Sequence, residues 1–191
     1  MTGQYFEPKR VMVACEFSGR VRNAFSKLGH EAWSCDLLSS ETPGNHIKGD
    51  VRDIDRSGYD IVICHPPCTY LAVSGSRFFK DRIEQQEEAL EFVKWLMDWP
   101  THRLALENPV GVISTRIRKP DQIISPSYFG FPVSKKTCLW LKGLPGLVPT
   151  NPVKPVRCYT DSFKRGPKRG KYRSITDKGI AEAMANQWGS L

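Results

Sequence analysis

Cys68 follows two consecutive prolines, Pro66 and Pro67, at the end of a short apolar run. Proline fixes its own φ angle and restricts the residue before it, so such a loop holds the next side chain with little freedom. A thiolate is a good nucleophile, and a cysteine held in this way is suited to covalent catalysis. The alternative interpretation is that the prolines only end a strand and that Cys68 is a small buried hydrophobic residue.

A carboxylate follows another apolar run later in the chain. Arg103 to Leu106 has the composition of a short buried strand, and the segment Glu107-Asn108-Pro109 comes directly after it. We expect the strand to stop where this segment begins, so that a second strand end delivers a carboxylate followed by a proline break. Two cations, Lys135 and Lys136, precede a further predicted strand, Thr137 to Leu141.

These groups need a sheet whose strand ends lie side by side. Ile61 to Cys64 is β-branched and apolar without alternation, which is typical of a strand buried on both faces of a parallel sheet. Ligands of open α/β sheets bind at the carboxyl ends of the strands, where Cys68 and Glu107 are expected. The sequence therefore predicts an α/β fold, with further strands over Arg10 to Cys15 and Glu31 to Asp36 and a helix between Arg82 and Trp99.

Three segments near the start of the chain are candidates for holding a cofactor. Phe17-Ser18-Gly19 separates the first strand from an amphipathic helix, and Ser18 or Gly19 is expected to cap that helix, whose amino end favours anionic ligands. Asp36 ends the second strand, where an acidic side chain commonly binds ribose hydroxyls. Asp50, followed by Val51, is a further candidate. The alternatives are that the glycine is there for steric reasons and that Asp36 is an ordinary turn residue.

Residues 150–173 concentrate the positive charge of the chain. The whole protein has a formal net charge of +8, and this segment contains eight cations and a single acidic residue, Asp161. Aromatic residues lie among the cations, as in surfaces that contact nucleic-acid backbones and unstacked bases. We predict a basic loop that binds nucleic acid, although such a loop can also be an ordinary solvated surface. Its candidate contacts are Lys154, Arg157, Lys164, Arg165, Lys168, Arg169, Lys171 and Arg173.

Length and composition favour a single domain over residues 1–191. With 40% hydrophobic residues the chain can bury a core of ordinary size, and residues Ile175 to Gly189 are expected to close the domain as a helix capped by Thr176. The six cysteines show no paired metal-ligand spacing, which favours a reducing cytoplasm and argues against a disulfide framework or a metal site. Neither a leader nor a long apolar segment is recognisable, so we expect no membrane partner.

In their order along the chain, these segments resemble the motifs of the cytosine-5 DNA methyltransferases, most closely the short, phage-type members. The resemblance runs from about Val11 to Gly189 and implies a Rossmann-like, S-adenosylmethionine-dependent methyltransferase sheet with flanking helices. It also implies location in the cytoplasm, that of the host if the protein is phage-encoded. The matching segments are Phe17-Ser18-Gly19, Pro67-Cys68, Glu107-Asn108-Pro109, and Pro132 to Lys136.

The resemblance implies a role for each matching residue. Cys68 would add to carbon 6 of cytosine so that carbon 5 becomes nucleophilic, and Glu107, with a raised pKa, would supply the proton for ring atom N3. Asn108 and Lys136 would complete the catalytic group. S-adenosylmethionine would contact Phe17, Ser18, Gly19, Asp36, Asp50, Val51 and Pro66. The DNA, single- or double-stranded, would present its target base outside the stack, because carbon 6 is unreachable within it.

The chain also departs from that family. The basic segment stands where the family inserts a large target-recognition domain, lysines replace the usual arginines, and the closing segment beside the cofactor is missing. Two alternatives therefore remain open: a catalytically silent nucleic-acid-binding protein of the same fold, and an amino-methylating DNA methyltransferase. In the second, His65-Pro66-Pro67-Cys68 would stand in for the usual Asp/Asn-Pro-Pro-Tyr, which it matches poorly. Methylation of a free nucleotide is disfavoured, because it would leave the basic segment without a role.

Overall fold

The structure is a computed structural model that describes residues 7–158 and 169–191. The strands are β1 (Arg10–Ala14), β2 (Glu31–Asp36), β3 (His46–Lys48), β4 (Ile61–Cys64), β5 (Leu104–Pro109), β6 (Gln122–Ile124), β7 (Val133–Ser134), β8 (Thr137–Lys142) and β9 (Arg157–Cys158). The α-helices are α1 (Arg20–Lys27), α2 (Ile83–Met97), α3 (Ile113–Arg116), α4 (Arg169–Ser174) and α5 (Lys178–Gly189). Short 3₁₀ helices span Val51–Asp53, Val73–Asp81 and Pro126–Tyr128.

Seven of the strands form one sheet in the order β3-β2-β1-β4-β5-β8-β6. Strands β1 to β5 run parallel to one another, while β8 is antiparallel to both β5 and β6. The predicted α/β architecture is therefore confirmed, and it is compatible with a Rossmann-like fold. The strand order reverses between β1 and β4, and in such sheets a crevice opens at the carboxyl ends of the strands beside the reversal.

Hydrophobic residues fill both faces of the sheet. On one face, Val13 and Ile63 pack with residues of α1 and α5, including Phe25 and Trp188. On the other, Val62 and its neighbours pack with α2. The predicted strand Ile61–Cys64 is observed with these bounds, and all four of its residues are fully buried. Alternation along each strand thus decides which face a side chain enters.

The strand β5 is longer than the sequence predicted. We expected it to stop where Glu107 begins, but Glu107, Asn108 and Pro109 all belong to the strand. The reason is β8, whose antiparallel pairing with β5 extends to Asn108 opposite Cys138 and Pro109 opposite Thr137. Non-local pairing of this kind leaves no mark on the local sequence.

The carboxyl-terminal part also differs from the prediction. Within residues 150–173 we expected a loop, but Arg157–Cys158 forms β9 beside β7, and Arg169–Ser174 forms α4. Residues 159–168 of that stretch lie outside the described part of the chain. The last helix begins at Lys178 rather than at Ile175, and its cap is Asp177, whose carboxylate accepts a hydrogen bond from the backbone N–H of Gly179. No helix within the described ranges is long and apolar enough to cross a membrane.

Candidate active site

A cavity of about 350 Å³ opens at the carboxyl edge of the sheet, on the face covered by α2. Cys15 follows β1, Asp36 ends β2, and Pro67 and Thr69 belong to the loop after β4; all four line the cavity. Phe92 of α2 closes it from the side. The cavity therefore lies where open α/β sheets bind ligands, and its volume is in the range of cofactor sites.

Three of the predicted cofactor contacts line this cavity: Asp36, Asp50 and Val51. Burial raises the pKa of Asp36, although a hydrogen bond from the backbone N–H of Leu38 opposes the shift. The Arg52 side chain is bonded to Asp50 and lowers the pKa of Asp50. The cavity thus offers one half-buried carboxylate with further capacity to accept hydrogen bonds and a second that is already paired.

The other four predicted cofactor contacts are not among the residues that line the cavity: Phe17, Ser18, Gly19 and Pro66. Ser18 donates its hydroxyl to the carboxylate of Glu16, which also accepts from the backbone N–H groups of Val21 and Arg22. The amino end of α1 is therefore occupied by Glu16, a residue that the sequence analysis did not single out. Its position directly after the first strand was the available signal.

Gly19 has a steric role in the structure. Its φ angle is +69°, and a Cβ atom at this position would lie 2.2 Å from the hydroxyl of Thr42 and 2.3 Å from a guanidinium nitrogen of Arg22. Arg22 is fully buried and donates to Ser34 and to backbone carbonyls of the loop after β2, including that of Thr42. The glycine is therefore required by this packing, which is the alternative that the sequence left open.

The loop from Pro66 to Thr69, here called the thiol loop, separates two environments. Pro67 and Thr69 line the α2-side cavity, while Cys68 lies close enough to Glu107 for their charges to interact. Burial raises the pKa of the Cys68 thiol, and the negative charge of Glu107 raises it further, whereas Lys135 and Arg173 lower it. The thiol is thus protonated at neutral pH in this structure, and the reaction that the sequence predicts requires a group that takes up its proton.

Glu107 and His65 form a buried pair on the opposite face of the sheet. The parallel register places Cys64 beside Leu106, so the next residue of each strand also meets its counterpart. Nδ1 of His65 lies 3.0 Å from Oε2 of Glu107, and the two side chains are only 7% and 11% exposed. Burial alone would raise the pKa of Glu107, but the hydrogen bond from His65 and the charge of Lys135 outweigh it and lower that pKa. Our expectation of a raised pKa was wrong for this state of the protein.

Asn108 fixes the thiol loop to β5. Its amide Nδ2 donates to the backbone carbonyl of Pro66 at 2.8 Å, and the side chain is buried. This bond joins the loop after β4 to the neighbouring strand, so it determines how the thiol loop lies relative to β5. Pro66 is therefore part of the thiol loop's support.

Of the two predicted cations, Lys135 is the one beside Glu107. Lys135 Nζ donates to the backbone carbonyl of Arg173 at 3.4 Å, and its charge lowers the pKa of Glu107. With Glu107, Thr137 and Asp177 it lines a cavity of about 10 Å³. Lys136, which we predicted as catalytic, is exposed. The catalytic role of Lys136 stays a prediction, and the structure brings Lys135 to Glu107.

The predicted nucleic-acid contacts fall into three groups. Lys154 and Arg157 are exposed. Lys171 pairs with Glu41 at 2.7 Å and lies 5.0 Å from the ring centre of Phe17, while Arg173 interacts with Cys68. Arg169 begins α4, and three further cations lie outside the described residues: Lys164, Arg165 and Lys168. Within the described ranges no group of His, Cys, Asp or Glu could hold a metal ion.

No protein-family model matches this chain, and no curated protein matches it either.

The sequence did not indicate that His65 and Asp177 join Glu107 and Lys135 in one cluster. His65 could have been found by aligning the ends of the two predicted strands. Asp177 comes from a distant helix, and local sequence gives no sign that it approaches β5.

Proposed function

We propose that this protein is an S-adenosylmethionine-dependent DNA (cytosine-5)-methyltransferase, acting in the cytoplasm, with Cys68 as its nucleophile. The observation that carries the proposal is the position of the Cys68 loop between the open cavity and the buried Glu107 group. Methyl transfer to cytosine needs the cofactor, the thiol and the carboxyl group within reach of the same ring. The thiol loop borders both environments, so a base seated there would meet a nucleophile, a proton-handling carboxyl and a cofactor.

The cavity residues fit a nucleoside-containing cofactor. Asp36, at the end of β2, has a carboxylate suited to ribose hydroxyls, and Val51 and Phe92 provide apolar surface for an adenine ring. When bound, S-adenosylmethionine supplies an electrophilic methyl group. The residues that line the cavity must exclude water and orient this methyl group toward the thiol loop, where Pro67 and Thr69 form the wall of the cavity.

Cys68 and Glu107 divide the chemistry at the ring. The S–H bond of Cys68 breaks, its proton passes to the Glu107 carboxylate, and the sulfur forms a bond to carbon 6. Ring electrons then move to carbon 5, and Glu107 passes the proton to N3, so the charge on the ring is balanced. After carbon 5 has been methylated, its proton leaves to water, the bond from sulfur to carbon 6 breaks, and the N3 proton returns through Glu107 to the sulfur. In the resting protein the thiol holds the proton and Glu107 is ionised, because the pKa of Cys68 is raised and the pKa of Glu107 is lowered. Transfer of the proton to Glu107 is therefore uphill, and it is completed only as the sulfur bonds to carbon 6.

DNA is the partner that the charge favours. Lys136, Lys154 and Arg157 are exposed cations that can neutralise phosphates, and the target base must leave the stack to reach Cys68. A second candidate is a catalytically silent DNA-binding protein of this fold. The raised pKa of Cys68 favours that candidate, because a protonated thiol is a poor nucleophile.

Replacement of Cys68 by serine separates these functions. We expect the wild-type chain to methylate cytosine in DNA when S-adenosylmethionine is present, and Cys68→Ser to lose this activity while still binding DNA. Bisulfite sequencing identifies the methylated position. DNA containing 5-fluorocytosine gives a second measurement, because fluorine at carbon 5 cannot leave as a proton and the protein stays attached through sulfur.

The matched control is Cys158→Ser, which changes an exposed cysteine away from the cavity. It should methylate and form the adduct like the wild type. Methylation on an exocyclic amine, with no adduct, would support the amino-methylating alternative. DNA binding with neither cofactor binding by calorimetry nor methylation would support the silent one.

A further inference from the structure

His65 is a buried imidazole that the mechanism above does not use. It is the first residue after β4, and its backbone N–H still bonds to the carbonyl of Ala14 in β1 at 2.9 Å. Its side chain therefore follows the alternation of β4 and enters the same face as Glu107. The distance of 3.0 Å from Nδ1 to Oε2, with both side chains nearly excluded from solvent, makes this a hydrogen bond of good length.

The far nitrogen of the ring shows that packing alone does not explain this histidine. Nε2 is buried and has no hydrogen-bond partner within the part of the chain that the structure describes. An unpartnered polar atom in the interior costs free energy that an apolar side chain of similar size would avoid. The benefit of an imidazole here must therefore lie at Nδ1, where it meets Glu107.

The ionisable groups around the pair come from several elements. Glu107 belongs to β5, and Lys135 precedes β8 and acts on Glu107 directly. Asp177, the cap of α5, and Arg173 of α4 lie on the same side, since Lys135 interacts with Asp177 and donates to the carbonyl of Arg173. Cys68 faces this group from the thiol loop. His65 is the member of the group whose hydrogen bond fixes one oxygen of the Glu107 carboxylate.

We propose that His65 is a positioning residue for the reaction at Cys68: its Nδ1–H holds Oε2 of Glu107, so that the other oxygen receives the thiol proton and passes it to N3. This inference rests on the proposed function. The proton count is unchanged by His65, which donates the same hydrogen bond throughout and gives up no proton. Its contribution is to hold the carboxylate in one orientation and to favour its ionised form before the thiol reacts.

Two substitutions test this role. His65→Ala removes the donor, whereas the side-chain amide of His65→Asn can place an N–H group near the position of Nδ1. With 5-fluorocytosine DNA and S-adenosylmethionine, we expect His65→Ala to form the adduct about 10-fold to 100-fold more slowly, as for loss of a hydrogen bond to a charged group. The acidic limb of its pH profile should move to higher pH, because Glu107 then takes up a proton more readily. His65→Asn should restore the rate to within about threefold and the limb to its original position.

The control is His102→Ala, which changes an exposed histidine and should behave as the wild type. If His65→Ala does not fold, as judged by thermal unfolding, His65→Gln replaces it, since its longer amide does not overlap Nδ1. If the wild type forms the adduct and the His65 variants form it at the same rate with the same acidic limb, the role of His65 is overturned and the proposed function stands. No adduct from the wild type would overturn both.

Nitrogen NMR of the histidine-labelled full chain gives a readout that does not depend on activity. It should show His65 protonated at Nδ1, with the signal assigned by its disappearance in His65→Asn. A neutral ring protonated at Nε2 would contradict the proposal directly, whether or not the protein methylates DNA.

Discussion

The two faces of the sheet at its carboxyl edge are built differently. On the α2 face, a cavity of about 350 Å³ is bordered by loops, and its Asp36 carboxylate retains capacity to accept hydrogen bonds. On the α5 face, Glu107 is paired with His65 and borders a cavity of only about 10 Å³. An open, loop-built space suits a ligand that enters and leaves. A closed group of paired side chains suits a step that needs fixed geometry.

The thiol loop contributes residues to both faces of the sheet. Asn108 holds the loop through the carbonyl of Pro66, and the residues on either side of Cys68 border the open cavity. Substitutions on the two faces should therefore have separable effects. Those on the α5 face should change the rate of the chemical step, and those on the α2 face should change cofactor affinity.

The largest effect is expected for Glu107→Gln. The amide keeps the shape of the side chain but cannot accept the thiol proton, so methylation should fall about 100-fold to 10,000-fold, as for loss of a general acid–base group. Cofactor affinity measured by calorimetry should change little. Glu87→Gln, which alters an exposed carboxylate paired with Arg116, is the control. A matching loss of cofactor affinity in Glu107→Gln would show that the two faces are not separable.

Asp36→Ala should give the opposite pattern. Losing a carboxylate that binds hydroxyl groups should weaken S-adenosylmethionine binding about 10-fold to 100-fold, the usual effect of a hydrogen bond to a charged group. Calorimetry measures this directly, and methylation should recover as the cofactor concentration is raised. Asp55→Ala is the matched control, because Asp55 is exposed and its carboxylate bonds to Ser57 outside the cavity. Unchanged affinity in Asp36→Ala would remove the main support for this cavity as the cofactor site.

The same two carboxyl groups should affect stability with opposite dependence on pH. The pKa of Glu107 is lowered by folding, so its contribution is present above its unfolded pKa and is lost as the pH falls through the folded one. The pKa of Asp36 is raised, so its contribution is present at low pH and is lost as the pH rises through the folded value. Urea unfolding from pH 3 to pH 7 should therefore show that Asp36→Asn gains stability relative to the wild type toward neutral pH. Glu107→Gln should lose stability relative to the wild type toward neutral pH. An equal change of unfolding free energy with pH in both variants would contradict this assignment.

Local pattern predicted most of the parallel half of the sheet. The strands β2 and β4 have the predicted bounds. For β4 the signal was a β-branched apolar run that ends at two prolines. The length of β5 was not predictable, because it depends on pairing with β8, which lies far along the chain. The strand β9 was not predictable, because it has only two residues and depends on pairing with β7.

The site was predictable in its residue types and less so in its partners. Cys68, Glu107 and Asp36 each follow or end an apolar run, which the sequence shows directly. Their environment requires the register of the sheet: His65 meets Glu107 only because Cys64 lies beside Leu106. Whether Lys135 or Lys136 approaches Glu107 likewise depends on the direction in which each side chain points. The segment between β7 and β8 is too short to show an alternation of apolar and polar residues.

The smallest effect is expected for Lys171, a predicted DNA contact that the structure places against Glu41 and Phe17. An exposed ion pair contributes up to about 1 kcal/mol, and a cation over an aromatic ring about as much, so Lys171→Ala should lower the free energy of unfolding by roughly 1 kcal/mol. A double-mutant cycle with Glu41→Ala measures the ion pair by urea unfolding, with Lys178→Ala as a control for loss of an exposed cation. If Lys171 binds DNA instead, its replacement should leave stability unchanged and reduce the salt dependence of DNA binding by about one phosphate contact. Lys136→Ala provides the reference for that second outcome, because Lys136 is an exposed cation.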